Sequence, residues 1–551
     1  MPLGVLEDTK LGGKVPGTVA INELASTAQT FFTVGKKTGK GRHANIVLAP
    51  QPSNDPNDPL NWPRWRKELA MYILTGITVV IGCVWIMLSP GQGVIAEEFD
   101  VSLTEVSKST GAHILVIGFS SFFTSASATK FGKRPVFIVC AIILLITNIW
   151  GAFAKSWASL FAARAIMGVG VAPFETIVTA WVADVFFVHE RATRNSIWNM
   201  ALSCGSSLGA VVGGYIIQYM SWRWTFGFCA ISMGVLTPAL ILFVPESVYE
   251  RGVEFETDLV AAAASEQGSE TGDKLKEKVE PDVTEGATST SPSTSVHGQP
   301  VPEPKTFGQL ITPCDGIKSR DNFFKLLLRP VKMGIYPSVI WAYLTYSCAV
   351  TWLALFGVTQ AQIFSQAPYN FSAGAIGLTS LGGCITAILG SLTAGPLCDW
   401  IALKMAAWNN GIYEPEFRLP LIIPGTVFTI TGLWGFGLAV DAKTPWPVPV
   451  VLNGINFLGL IWTAIPVYGY IIDSHRQHAA HAFVMVNLVK AVASYVLTFH
   501  ANTWYEQQGP KNMFFTVGGV QLFGQLTTIV VYIFGKRMRS FVERKQWLKN
   551  I

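Results

Sequence analysis

The chain has 551 residues, of which 50% are hydrophobic and only 14% charged, with a net charge of +5; its mean hydropathy is +0.39. Outside 1–68, 246–332 and 536–551 the charged share falls to about 7%, against roughly 25% in soluble proteins. These proportions exclude a large soluble enzyme, and no basic cluster reaches the size a nucleic-acid partner needs.

In chain order, residues 1–60 hold no long apolar run and no signal peptide, and read as a disordered cytoplasmic tail. The turn-rich stretch Asn54 to Trp62 closes it with a Trp suited to a membrane interface. Runs long enough to cross a 30 Å hydrocarbon layer then follow at 69–89, 107–128, 135–154, 157–182, 195–218 and 224–244. After 246–331 come 332–356, 374–397, 419–440, 447–472, 480–501 and 512–535. The Ser- and Gly-rich second run suits contact with other helices rather than lipid. The expected architecture is an all-α integral membrane protein with twelve transmembrane helices in two pseudo-symmetric six-helix halves, 61–245 and 332–535. The joint 246–331 is largely disordered by composition, most of all from Glu266 to Lys305, and 536–551 is a basic cytoplasmic tail.

Lys and Arg set the orientation. With both termini inside, the short inner loops hold Lys130, Lys133, Arg134, Arg191, Arg194, Lys404, Arg418 and Arg476, whereas each outer loop holds one at most. The plasma membrane is the expected location, with a vacuolar or vesicle membrane as the alternative. The sequon Asn370-Phe-Ser372 falls in an outer loop. Seven of the eight Cys lie in apolar stretches and Cys314 in the joint, so no disulfide framework is expected.

The halves are faintly similar to one another. The second helix ends Ser125-Ala-Ser-Ala-Thr129-Lys-Phe-Gly132-Lys133-Arg134 and its counterpart ends Gly395-Pro-Leu-Cys-Asp399; the fourth ends at Asp184 and the tenth at Asp473. Duplicated halves are the layout of rocking secondary transporters. In these features the chain resembles the major facilitator superfamily over nearly all of 60–540. The resemblance rests on Gly132-Lys133-Arg134 between helices 2 and 3, Arg164-Ala-Ile-Met-Gly168-Val-Gly170 in helix 4, the helix-5 series Gly205, Gly209, Gly213, Gly214, and Pro245-Glu246-Ser247 after helix 6. Asp58-Pro-Leu-Asn-Trp62 and Asn409 to Arg418 look like the fungal twelve-helix drug:proton antiporter branch, with its polyamine and multidrug types. The resemblance implies alternating access, with helices 1, 4, 7 and 10 lining a central cavity. Two departures stand out: Thr129 replaces the usual Asp, leaving Asp399 as that carboxylate in the second half only, and Ala210 replaces the Pro expected to kink helix 5.

Charges inside helices are costly and point to function. Arg164 and Glu175, 11 residues apart on one face of helix 4, are the candidates for proton coupling, with Arg164 stabilising the charged Glu175. Snorkelling of Arg164 and a structural ion pair at Glu175 are the alternatives. Lys490 in helix 11 suits a substrate anion, a carboxylate across the cavity, or Asp473. The expected cavity wall takes Thr78, Trp85, Ser89 and Gln92 from helix 1, Tyr336, Tyr343 and Ser347 from helix 7, and Asn453, Asn456, Thr463 and Tyr470 from helix 10. Such a wall suits an amphipathic or weakly basic solute, or a cation beside Glu175. The four-residue spacing of Gly205, Gly209 and Gly213 makes a smooth ridge, read either as a sliding contact between the halves or as static packing. His113 reads as structural, and His475, His478 and His481 as a solvated loop rather than a metal site.

No phosphate-cradling Gly-Lys motif or nucleophile with its base is present, so neither ATP, another cofactor nor enzymatic chemistry is expected. The reading is a monomeric secondary transporter that exports a small organic molecule (a drug, toxin or secondary metabolite) in exchange for protons. Proton-coupled uptake of a nutrient or polyamine is the alternative, and a non-transporting membrane sensor the remote one.

Overall fold

The computed structural model describes residues 55–249 and 321–544 except 411 and 476–478, with short pieces at 4–6, 15, 18–20, 52–53, 306, 308–309, 312–314 and 316–319. The middle of the joint, Arg476 and His478 lie outside the described residues.

Local signals start and stop each span. The first, α1, runs Arg64–Ile86 behind Pro63 and gives way to the 3₁₀ turn Ser89–Gly91, where Pro90 withholds a backbone donor. Ser102 caps α2 (Leu103–Phe131) by accepting from Glu105 N at 3.2 Å. Gly132, at φ 99°, ends α2 and lets α3 (Lys133–Ala152) begin at the next residue. The fourth span, α4, is Trp157–Thr176 plus Val178–Val185, interrupted at Ile177 four residues after Pro173. Then come α5 (Val188–Tyr219) and α6 (Trp222–Phe243). With Ala210 where the family has Pro, α5 is one uninterrupted helix of 32 residues.

The second half repeats the plan. Its first span, α7, starts at Pro337, passes through a π-helical segment Tyr343–Ser347 and ends at Ser365. The sequence places this start at 332, but 332–333 close a separate helix, Phe323–Met333. Next are α8 (Ala373–Leu378 and Leu381–Trp408), α9 (Ile422–Asp441) and α10 (Pro447–His475). A final 66-residue helical stretch, Ala479–Arg544, turns at Gly509 (φ 74°), giving α11 (479–508) and α12 (510–544). Eleven helical stretches among the described residues are long and apolar enough to cross a membrane; the turn at Gly509 makes twelve spans.

The apolar core divides the same way. One large cluster runs from Trp62 to Val244, and the others lie essentially in the second half. The end holding Arg64 and Arg544 is here called proximal and the opposite end distal.

Short described pieces of the amino-terminal segment lie against the bundle. Val5 and Val15 are buried, Leu6 N donates to Ile533 O at 3.0 Å, and Val19–Ala20 pairs antiparallel with Ile412–Tyr413. Asp58 organises the turn before α1 by accepting from Ser53 N and Leu60 N, both at 3.0 Å. Trp62 sits in the protein core with Arg66 stacked on it, rather than at an interface. These segments find backbone partners on the proximal face, which composition does not reveal.

Candidate functional site

Half-way along the bundle α4 and α11 bring together two charges from different halves. Lys490 Nζ donates to Glu175 Oε2 at 3.3 Å, and both side chains are buried, 5% and 4% exposed. The ammonium also lies 5.2 Å from the centre of the Trp85 ring on α1, a cation–π arrangement. Beside the pair, Tyr468 of α10 donates to the hydroxyl of Tyr346 on α7 at 2.8 Å, with the rings edge-on at 4.9 Å and Phe483 next in line. Glu175 Oε1 and Trp85 Nε1 are buried without a hydrogen-bond partner among the described residues. The arrangement is a carboxylate and the face of the Trp85 ring against an ammonium, with a tyrosine pair beside them and capacity for one more donor at Glu175.

Arg164 does not join it. Eleven residues of helix rise about 16 Å, so sharing a face with Glu175 does not bring the two side chains together. The guanidinium is fully buried and bonds Val84 O on α1 and Thr110 Oγ1 on α2, both at 3.4 Å, while its own carbonyl bonds His113 at 2.9 Å. It ties α1, α2 and α4 of one half together.

The other expected residues scatter. Gln92 lies beyond α1, whose helical face stops at Ile86, and accepts from Ser107 at 3.4 Å; Asn502 of α11 donates to that Ser107 at 3.0 Å, a polar link between the halves at the distal end. Ser89 bonds Gly357 O there too. Tyr343 turns to the proximal side and donates to Gly334 O at 3.1 Å. On α10 two stripes are separated by roughly 100°. Asn453 and Phe457 line a small pocket between the halves with Ile86, Ser207 and Gln360, and Tyr468 continues that side. Asn456, Thr463 and Tyr470 instead pack inward: Asn456 abuts Gly432, Thr463 accepts from Gln525 at 3.1 Å, and Tyr470 lies edge-on to Trp341. Tyr346 and Tyr468 are the residues that sequence reasoning missed.

The glycine ridge also changes partner. A Cβ at Gly205 would meet Val79 O at 2.5 Å, and those at Gly209 and Gly213 would strike Cys83 and Met87. Val79 and Cys83 belong to α1 and Met87 caps its end, so the ridge is packing within one half. The contact between halves is one residue on, where Gly214 of α5 faces Ala373 and Gly377 of α8. Gln218 reinforces it by accepting from Ser372 Oγ and Gly374 N, both at 3.0 Å; that Ser372 belongs to the Asn370 sequon.

At the proximal end each half keeps a charge cluster. In the first, Lys133 Nζ donates to Asp184 at 2.6 Å, and Glu246 caps α3 by accepting from Lys133 N and Arg134 N, both at 3.1 Å. Arg134 reaches Ile241 O at 2.6 Å and Thr312 O at 3.0 Å. Thr129 merely bonds Ser125 O of its own helix. In the second, Arg418 bridges Asp399 and Asp473, each at 2.7 Å, and Tyr413 donates to Asp473 at 2.6 Å. Burial and the Asp473 charge push the Tyr413 phenol above its ordinary value. Asp473 is thereby engaged away from Lys490.

Two duplicated halves, matching proximal clusters and a charge pair at mid-depth are the anatomy of a rocking carrier. The Major Facilitator Superfamily model matches residues 74–498. The chain belongs to the major facilitator superfamily. It is thus a multi-pass membrane transporter of the secondary type, acting on a small molecule, and not an enzyme. Protein HOL1 of Saccharomyces cerevisiae is 25% identical, covering 96% of this chain and 96% of its own. The efflux pump radE of Floropilus chiversii is 24% identical, covering 91% and 86%. In fold the chain is similar to the proton:xylose symporter XylE bound to 6-bromo-6-deoxy-D-glucose, with a TM-score of 0.57 and 13% identity over 85% of this chain and 96% of that one.

Proposed function

We propose that this transporter exports a small, weakly basic or cationic organic molecule in exchange for protons, with Glu175 as the shared site. The observation that carries the reading is the buried Glu175–Lys490 pair joining the two halves. A carboxylate there can hold a proton or a solute's charge but not both at once. Proton uptake therefore releases solute, and solute binding releases the proton. Breaking a buried pair without compensation is strongly unfavourable, so the halves separate at this level only when a proton or a solute replaces the lost partner. Trp85, Tyr346 and Tyr468 supply the aromatic wall. Arg164 is assigned a positioning role, holding the helices that carry Trp85 and Glu175.

Export is supported by relatives named as efflux pumps. The basic inner loops support both termini on the cytoplasmic side and a plasma-membrane location, with 246–331 as the joint between two six-helix halves. Uptake of a nutrient or polyamine is the second reading, favoured by Thr129 and Ala210, which depart from the exporter pattern.

The test is flux in vesicles carrying purified protein under an imposed pH gradient. Glu175→Gln is expected to abolish gradient-driven flux while solute exchange, weakened by loss of the carboxylate, stays measurable through the aromatic wall; undiminished driven flux removes the role of Glu175. In cells, loss of the protein should raise the internal level of its solute, whereas a fall identifies uptake.

A further inference from the structure

Just before α7 lies the eleven-residue helix Phe323–Met333, capped by Asn322, whose side chain accepts from Phe324 N at 3.1 Å. At about 100° per residue its side chains form three stripes. Leu326, Pro330 and Met333 are buried against the bundle. Phe324, Leu328 and Val331 are exposed, at 70%, 55% and 43%. Lys325 and Lys332 are exposed on the third stripe, beside Arg329, which is fixed to Asp321 at 2.7 Å.

The neighbouring residues of α7 indicate what covers the apolar stripe. Ile335, Ile340 and Leu344 are similarly exposed, and the last two belong to a membrane span, where lipid covers them. Only Gly334, Ile335 and Tyr336 separate the short helix from that span, which places it where α7 enters the bilayer. An apolar stripe flanked by lysines at that depth suits acyl chains below and anionic headgroups beside. The helix also straddles the halves, packing on α2 and on the stretch Ala479–Arg544 that holds α11 and α12. Lys318 N and Ser319 N, just ahead of it, donate to Lys130 O at the end of α2, at 2.8 and 3.4 Å. Just behind it, Gly334 lies against Met485 of α11.

We propose that this helix lies in the plane of the membrane interface and binds anionic lipid headgroups through Lys325 and Lys332. It is then a lipid-held strap across the seam between α2 and α11, two helices that must move relative to one another when the halves rock.

The experiment is native mass spectrometry of the purified full chain titrated with phosphatidylserine or phosphatidylcholine. Wild-type protein should retain phosphatidylserine in preference. Lys325→Gln/Lys332→Gln should weaken that binding about fivefold per lysine, with an unchanged melting temperature. Lys325→Arg/Lys332→Arg should keep the binding, as should Lys511→Gln at the distal end. Phe324→Ser/Leu328→Ser should weaken retention of both lipids. Equal retention by wild type and the double Gln variant, no preference between the lipids, or displacement by millimolar inorganic phosphate would each overturn the proposal.

Discussion

Two buried clusters of carboxylates and basic side chains in this transporter differ in how fully their charges are satisfied and in whether they join the halves. At the proximal end Glu414 and Glu416 meet Lys536 and Arg539. Lys536 donates to Glu414 at 2.7 Å, and Arg539 grips Glu414 at 3.0 Å and Glu416 at 2.7 Å. Thr18 adds a bond to Glu414 at 2.7 Å. The four charges balance, all come from one half, and each carboxylate oxygen has a donor. The Glu175–Lys490 pair has one long contact, an oxygen without a partner, and its two charges in different halves. Burial alone therefore does not mark a working charge. The role proposed for Glu175 rests instead on incomplete satisfaction between the two halves, because a saturated network within one half has nothing to exchange.

The largest expected effect separates the two clusters by stability. Arg539→Met strands Glu416 and leaves Glu414 to Lys536 and Thr18, and is expected to cost about 3–5 kcal/mol, read as a large drop in melting temperature or failure to accumulate. Glu175→Gln/Lys490→Met, which removes both charges of the central pair together and strands neither, is expected to stay within about 1 kcal/mol of wild type. Equal losses in thermal unfolding would erase the distinction.

A charge swap sharpens it. Glu175→Lys/Lys490→Glu restores an ion pair between α4 and α11, so the folded protein should regain near wild-type stability. Gradient-driven flux should stay at least about 100-fold down, since the carboxylate now sits on the wrong side of the Trp85 ring. Recovery of flux would mean that the pair acts only as a clamp between the halves.

The twelve spans and the charges within them were legible because apolar length and the cost of intramembrane charge act locally. Partners were not, because they depend on how helices rotate against each other. Spacing put Arg164 and Glu175 on one face, and the same 11 residues already set them about 16 Å apart along the axis; what it could not name was Lys490 as the partner of Glu175. The π-helical segment at Tyr343–Ser347 shifts the helical phase, so that Tyr346 is the tyrosine meeting Tyr468 while Tyr343 turns to Gly334. On α10 a regular polar stripe, Asn456, Thr463 and Tyr470, proved to be core, and the side continuing from Asn453 holds Phe457 and Tyr468, a pattern with little polar signal. The glycine ridge was visible as a ridge, but nothing in a four-residue repeat names the helix lying on it.

That ridge gives a smaller, separable effect. Overpacking costs about 1–3 kcal/mol, but where it falls differs. Gly209→Ala presses on Cys83 inside the first half and should lower thermal stability without changing access. Gly377→Ala presses on Ala210 across the distal seam, so it should favour the distally open arrangement. The measure is thiol labelling of a cysteine placed at Gln218, which lies in that seam: faster in the Gly377→Ala background, unchanged with Gly209→Ala. Identical labelling in both would mean that the seam yields without moving the halves.

The smallest effect concerns the saturated cluster from its outer edge. Thr18 Oγ1 contributes one bond to Glu414, next to the pairing of Val19–Ala20 with Ile412–Tyr413. Thr18→Val keeps the shape and removes the donor, while Lys536 and Arg539 still hold the carboxylate. The expected loss is about 1 kcal/mol, seen as faster proteolytic clipping of the first 20 residues at unchanged driven flux. A loss approaching that of Arg539→Met would mean that Glu414 is not saturated without the tail. The contrast between the two clusters would then have to rest on position across the halves rather than on satisfied charge.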